Sequence, residues 1–543
     1  MRIDAGTRAA WLALPALALI GLFLVYPLAE ILRVSFARGE SLSPLFEDNY
    51  FLGRLWFSAW QAGLSTALSL ALAIPLAWVF ACHRFPGKGT LEALLLVPFV
   101  LPTIVVAVAF TALVGPRGAL NVALMKLPGV SNPPIDLMNT LWAILLAHVF
   151  YNAAFCARII ATNWRAIDPR TEDAARMLGA GARQRFLAVT LPQLRNGILA
   201  AGALAFLFCF TSFGVVLILG GPKYSTLETE IYRESLFLFR LPIAAVLAIV
   251  QMAVTFSAVA ISTRLQSRVP GGSHGRRESA FTRETFVAGS AVLVVAGLLT
   301  LAPLAALVER SFHAGDGYSL RYYTMLDENV RGQALFVAPI EAVRNSLVFA
   351  VCTALIALPI GGLAALAAVR TRSTLVETLV QLPLGVSAVT LGLGLLISFD
   401  TPLLNLRASP ALIVFAHSLV ATPFVARTLT ARLRSMDPRL RDAAAMLGAG
   451  PLTAFLRVEL PVLSGALAVA ATIAFATSMG EFGATLLIAR PEHPTIPVAI
   501  YRYLGQPGAT NFGQALGMST ILMAVTASAF FAITRAGGRD ARF

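Results

Sequence analysis

Few residues in this sequence could do chemistry in an apolar setting, and they are widely spaced. Glu481 stands in the run SMGEFGATLLIA, Ser478–Ala489, with no second carboxylate beside it. A lone ionisable group in such a run is costly and usually faces a cavity or a partner. Two chemistries fit it. It can attract a cation on a transport path, or it can join helices through a hydrogen bond or ion pair with Arg427 or His417. His148 and His417 are of metal-ligand type, but neither has a carboxylate or second histidine nearby in sequence, so no metal site is expected. Tyr151 and Phe210 are of the kind that stacks on an aromatic ligand, although aromatic side chains in apolar helices more often serve packing. Catalytic chemistry finds no constellation: the six histidines are scattered and neither HExxH nor GxSxG occurs. PGKGT, Pro86–Thr90, has the wrong order for a phosphate loop.

The elements that must position these side chains are membrane spans. The 543 residues are 57% hydrophobic and only 13% charged, where soluble chains carry about 25% charged residues. About twelve runs reach the roughly 20 apolar residues a span needs. They lie near 9–33, 56–82, 90–114, 139–163, 197–219, 241–263, 286–308, 344–369, 376–399, 410–430, 465–488 and 513–534. The first has no small-residue cleavage site after it, so no cleavable signal is expected. The fold class is therefore an all-α polytopic membrane protein. The net charge of +14 gathers in alternate loops, which points to cytoplasmic arginines rather than to nucleic acid. Arg158–Arg195, Arg264–Arg283, Arg427–Arg457 and the tail from Arg535 fall on one side; Glu40, Glu47, Asp48, Glu228, Glu230 and Glu234 fall on the other. By the positive-inside rule both termini are expected in the cytoplasm. Arg158 and Arg427 read as end anchors, and His148 and His417 are expected near the inner ends of their helices. Cys82, Cys156, Cys209 and Cys352 sit in apolar runs without CxxC spacing, which argues against disulfides.

The chain also repeats itself. DPRTEDAARMLGAG begins at Asp168, and DPRLRDAAAMLGAG begins 269 residues later at Asp437. At that offset, residues 147–192 match at 22 of 46 positions, and pairs such as His148/His417, Phe206/Phe475 and Tyr232/Tyr501 extend the match. This is an internal duplication. Both loops are on the arginine side, so the repeats are parallel: residues 1–264 and 284–543, six spans each, joined by a Gly-, Ser- and Arg-rich linker over 265–283. Within each loop Asp and Pro suit a helix start, the alanines favour helix, and Gly179 or Gly448 permits a sharp end. Each repeat then offers a short helix with a face of small residues. A structural connector would explain one such loop; two copies held in register point to a paired docking element.

Asp173-Ala174-Ala175…Gly179…Val189-Thr190-Leu191-Pro192 and Asp442-Ala443-Ala444…Gly448…Val458-Glu459-Leu460-Pro461 resemble the EAA loop of binding-protein-dependent ABC importer permeases. Asp replaces the first Glu in both copies, which keeps the charge and shortens its reach. The resemblance spans nearly the whole chain as two fused permease halves of the type I importer kind. It implies that the loops around 165–194 and 434–463 are coupling helices seated on two copies of a cytoplasmic ATP-binding subunit. ATP is then met only through that partner, and the chain itself binds no cofactor. An extracytoplasmic substrate-binding protein delivers the solute, and the chain lies in the bacterial inner membrane.

Fused permeases of this kind resemble two groups, one for thiamine or its phosphates and one for ferric iron. The stretches Leu145–Arg158, Leu204–Ser235 and Ser478–Ala489 look most like the thiamine group. Iron permeases more often carry an acidic-Phe-Gly motif in both halves; here Ser212-Phe213-Gly214 stands in the first and Glu481-Phe482-Gly483 in the second. A cation-attracting Glu481 would suit cationic thiamine. A proton-coupled secondary transporter also has two parallel halves, but it leaves the duplicated loop without a purpose.

Overall fold

The structure is a computed structural model, which describes residues 10–36, 49–266, 278–315, 317–328, 335–401, 404–407 and 409–536. The greater part of the expected linker, the acidic positions 40, 47 and 48, and the arginines beyond residue 536 lie outside the described residues. Helices dominate, as a lipid-exposed backbone requires, because each helix satisfies its own N–H and C=O groups. In chain order the principal ones are α1 (Leu14–Phe36), α2 (Tyr50–Cys82), α3 (Lys88–Val100), α4 (Thr103–Val114), α5 (Leu141–Ala166), α6 (Pro169–Met177), α7 (Leu191–Phe210), α8 (Phe213–Leu219), α9 (Leu227–Leu236) and α10 (Leu241–Gln266). The second repeat supplies α11 (Arg283–Phe312), α12 (Pro339–Thr371), α13 (Thr374–Gln381), α14 (Ala388–Ser398), α15 (Ala411–Ser435), α16 (Arg439–Met446), α17 (Leu460–Gly480), α18 (Gly483–Ile488), α19 (Ile496–Leu504) and α20 (Ala509–Ala536). Two short hairpins, His313–Tyr318 and Asp400–Asn405, are the only strands among the described residues.

Eleven described helices are long and apolar enough to span a membrane, and the pair Thr374–Gly385 and Ala388–Ser398, bent by 92°, makes a twelfth if taken together. Four apolar runs expected as continuous spans are interrupted, 376–399 by the 92° bend between Gly385 and Ala388 and three others by breaks. The run 90–114 breaks at Leu101-Pro102, where the proline begins a new helix. The runs 197–219 and 465–488 break at the same place in each repeat, after Phe210 and after Gly480. The short helix that follows each break leads to a further helix whose first N–H is bonded from afar. Ser58 Oγ accepts from Leu227 N at 2.9 Å, and Ser346 Oγ accepts from Ile496 N at 2.8 Å.

The compact units differ from the sequence repeats. One unit comprises residues 1–39, 234–246 and 320–543; the other comprises 40–233 and 247–319. In the first unit α1 packs along α14 and α12. Phe23 stacks on Phe399 and Phe415 with ring centroids 5.3 and 4.7 Å apart. Gly394 lets Pro27 come close, since a Cβ there would stand 2.9 Å from the Pro27 Cβ. In the second unit α11 packs on α4 and α2. Each repeat's opening helix thus joins the unit built from the other repeat. The core of the first unit is a cluster of small side chains where α12, α15 and α17 meet: Ala357, Ala365, Ala421, Val425, Ala470 and Ala474. Helices in lipid associate by close van der Waals packing, which small residues allow.

Candidate functional site

The duplicated loop folds the same way in both units. Asp168 caps α6 through its carboxylate, which accepts the Arg170 N–H at 2.9 Å; Asp437 does the same for Arg439 at 2.9 Å. Each helix then ends in the same pair of backbone bonds. Ala180 N donates to Ala175 O and Gly179 N to Arg176 O; Ala449 N donates to Ala444 O and Gly448 N to Ala445 O. This Schellman ending needs a left-handed residue, and the two glycines have φ of +83° and +78°. Beyond the turn, one π-helical turn (Phe186–Thr190, Phe455–Glu459) leads into α7 or α17. Glu172 accepts from Thr190 Oγ at 2.8 Å. The matching positions in the second loop make the Arg441–Glu459 ion pair, 3.5 Å. Asp173 and Arg176 form an exposed 3.8 Å pair. Ala174, Asp442 and Ala443 are exposed, Ala175 is half-buried, and Ala444 is buried.

The polar residues inside the helices divide between the units. His417 lies between Ser478 Oγ, 2.7 Å from Nδ1, and Thr485 Oγ, 2.8 Å from Nε2. Its Nε2 is also 3.3 Å from Glu481. Glu481 is not within a continuous helix: it occupies the break between α17 and α18, where its carboxylate accepts the N–H groups of Ala484 and Thr485 at 2.8 and 2.9 Å, and the Thr485 hydroxyl. Of its two expected partners the structure selects His417; Arg427 is exposed elsewhere on α15. In the other unit Ser212 holds the place of Glu481, and His148 Nδ1 meets Ser65 Oγ at 2.8 Å. Both histidines sit in the first two turns of helices whose far, C-terminal ends carry the arginine loops. Their expected position near the arginine side is therefore corrected. Tyr151 donates to Leu101 O at 2.9 Å and is half-buried. Phe210 is 2% exposed and stacks on Phe206.

Comparison with known proteins adds the family. Residues 73–270 and 357–537 match the model of the binding-protein-dependent transport system inner membrane component. The chain belongs to this family. The permease is 27% identical to the thiamine transport system permease protein ThiP of Salmonella typhimurium over 98% of both chains. It is 29% identical to ThiP of Haemophilus influenzae over 88% of this chain and 89% of that one. Among solved structures, a chain of a bacterial ABC transporter that imports the acidic polysaccharide alginate aligns over 47% of this permease and 93% of its own length, with 18% identity and a TM-score of 0.41. As a member of the family, the permease is a multi-pass inner-membrane protein and a transport subunit rather than an enzyme. Permeases of this kind work with an ATPase and a substrate-binding protein.

The loops contain candidate residues that the motif alone did not single out. Met177 and Leu178 are 87% and 89% exposed, and Met446 and Leu447 are both 89% exposed. Four large apolar side chains left exposed at two helix tips form contact surface without a partner among the described residues. The sequence signal was present: Met-Leu-Gly-Ala-Gly recurs unchanged in both loops. The Asp-Ala-Ala and the glycine of the motif shape the helix, and the Met-Leu pair between them makes the exposed tip.

Proposed function

We propose that this permease carries thiamine or its phosphates into the cell, and that α6 and α16 dock on two copies of a cytoplasmic ATPase. The substrate reading rests on one observation: full-length similarity to relatives named for thiamine transport. The docking reading is supported by the exposed tips Met177-Leu178 and Met446-Leu447 on two loops of identical backbone design. Methionine and leucine there suit an apolar cleft, while Asp173, Ala174, Ala175 and Gly179, with Asp442, Ala443, Ala444 and Gly448, shape and present the tip. Nucleotide is met only through the ATPase, and the arginine-rich loops lie in the cytoplasm with both termini. Closure of the ATPase pair shifts α6 and α16, and the shift passes through the π-helical turns into α7 and α17. Glu481 acts here as a tether between α15, α17 and α18, since both of its oxygens are occupied. Phe210 serves packing. Tyr151, half-buried, is the remaining candidate for the pathway.

The test is ATPase activity of the permease reconstituted with its ATPase and binding protein. Thiamine is expected to stimulate hydrolysis and ferric iron to leave it unchanged. Stimulation by iron alone would overturn the substrate assignment and keep the docking mechanism. Failure of the ATPase to associate with the permease would overturn the docking itself.

A further inference from the structure

A cavity of about 460 Å³ opens where the C-terminal ends of α12 and α15 meet the start of α16. Its polar lining is Arg370, Arg372, Arg434 and Arg441, set against Asp437 and Glu459. Four guanidinium groups thus face two carboxylates, and both carboxylates are already engaged. Glu459 takes Arg370 at 3.0 Å and Arg441 at 3.5 Å. Asp437 caps α16. Arg434 leans away to Glu377, 2.8 Å distant. Arg372 ends α12 in a left-handed conformation, φ +52°, and no carboxylate among the described residues pairs with it. Helix C-terminal ends attract cations, each carrying about half a negative charge. With Glu377 counted against Arg434, one positive charge is left in excess; the two helix ends offset much of it, and the positive start of α16 restores part.

The first repeat is an internal control. Arg441 and Glu459 correspond there to Glu172 and Thr190, joined by a neutral-to-charged hydrogen bond of 2.8 Å. The counterpart of Arg434 is Arg165, which likewise takes a carboxylate, Glu92 at 3.2 Å, and also Phe80 O at 2.7 Å, so the repeats differ at Arg441 and Glu459 and not at this arginine. Both loops have the same backbone, so the arginine cluster is not needed to shape one. We propose that this cavity binds a phosphoryl group, borne either by an anionic lipid headgroup or by a soluble phosphorylated compound. Guanidinium forks match phosphoryl oxygens in geometry as well as charge. The ligand would bridge Arg372 and Arg434, at the ends of membrane helices, to Arg441 on α16, and so hold one docking helix against its membrane helices. The site stands independently of what the importer carries.

The two sources are separated by two probes applied to the permease–ATPase complex in phosphatidylcholine nanodiscs. One is radiolabelled pyrophosphate, followed by equilibrium binding. The other is phosphatidylglycerol at rising mole fraction, followed by native mass spectrometry of retained lipid. Saturable binding of either is expected, weakened about tenfold in the Arg372→Gln/Arg434→Gln variant. Whichever probe binds names the source. Binding of neither, or binding that the double variant leaves unchanged, would overturn the proposal. If the double variant elutes as aggregate, Arg372→Gln alone, at an exposed residue without an ion pair, carries the same expectation.

Discussion

At the scale of single residues, the His417–Glu481 cluster shows what sequence can and cannot assign. The sequence marks Glu481 as costly in an apolar run and offers His417 or Arg427 as partner. It cannot choose, because His417 is 64 positions away in sequence and the pairing depends on a break in α17 that composition does not reveal. Once the break is seen, the carboxylate has a definite task. It closes the first turn of α18 and reaches His417 on α15. Glu481→Ala leaves the Ala484 and Thr485 N–H groups without their acceptor and takes the carboxylate from the Thr485 hydroxyl and His417 Nε2, which keep only each other. Breaking a buried pair costs roughly 3–5 kcal/mol in soluble proteins, whereas single hydrogen bonds between membrane helices are worth roughly 0.6–2. A loss of about 2 kcal/mol follows from summing several of the weaker kind. Ser212→Ala, at the matching place in the first repeat, should cost well under half of that. Thermal unfolding of both variants in one detergent checks the difference; equal midpoints would show that Glu481 does not tether these helices.

At the scale of elements, close helix approach makes the sharpest demand. Gly361 on α12 faces α15, and a Cβ built on it would lie 2.7 and 2.9 Å from Val425 side-chain atoms and 3.1 Å from Thr422 O. Neither backbone can give way without moving the alanine-rich seam around Ala421 and Ala474. Gly361→Leu is expected to lower stability by at least the roughly 1–3 kcal/mol of an overpacked core, read as reduced monodisperse yield and an earlier unfolding midpoint. Gly179 and Gly448 pose the opposite case. A Cβ on either meets nothing within 4 Å, so only the left-handed φ opposes alanine, at about 1–2 kcal/mol. Gly448→Ala should therefore leave the membrane helices intact, and any loss of ATPase coupling at constant unfolding midpoint would be local to the loop turn. The hydropathy pattern carries the span number, about twelve expected against eleven or twelve found among the described residues. It missed the breaks at Leu101, Phe210, Gly385 and Gly480, because leucine, valine and alanine continue on both sides of each.

At the scale of the whole molecule, duplication was the most legible property, since the 269-residue offset is carried by residues that shape the loop. The exchange of α1 and α11 between compact units was not legible, because an apolar helix face does not name the helix it will cover. The same duplication yields a stoichiometric expectation. Each repeat displays one Met-Leu tip, Met177-Leu178 or Met446-Leu447, so each should hold one ATPase subunit. Burying a charge in the apolar contact of either tip removes an anchor, and loss of such an anchor costs about 2 kcal/mol or more, roughly 30-fold in affinity. Met177→Asp should leave one ATPase bound per permease, as should Met446→Asp, while the double variant should leave none. Native mass spectrometry of the complex in detergent counts the subunits directly. Both subunits lost in either single variant would mean that the ATPases bind only as a pair. Two subunits retained in the double variant would show that the exposed tips are not the docking surface.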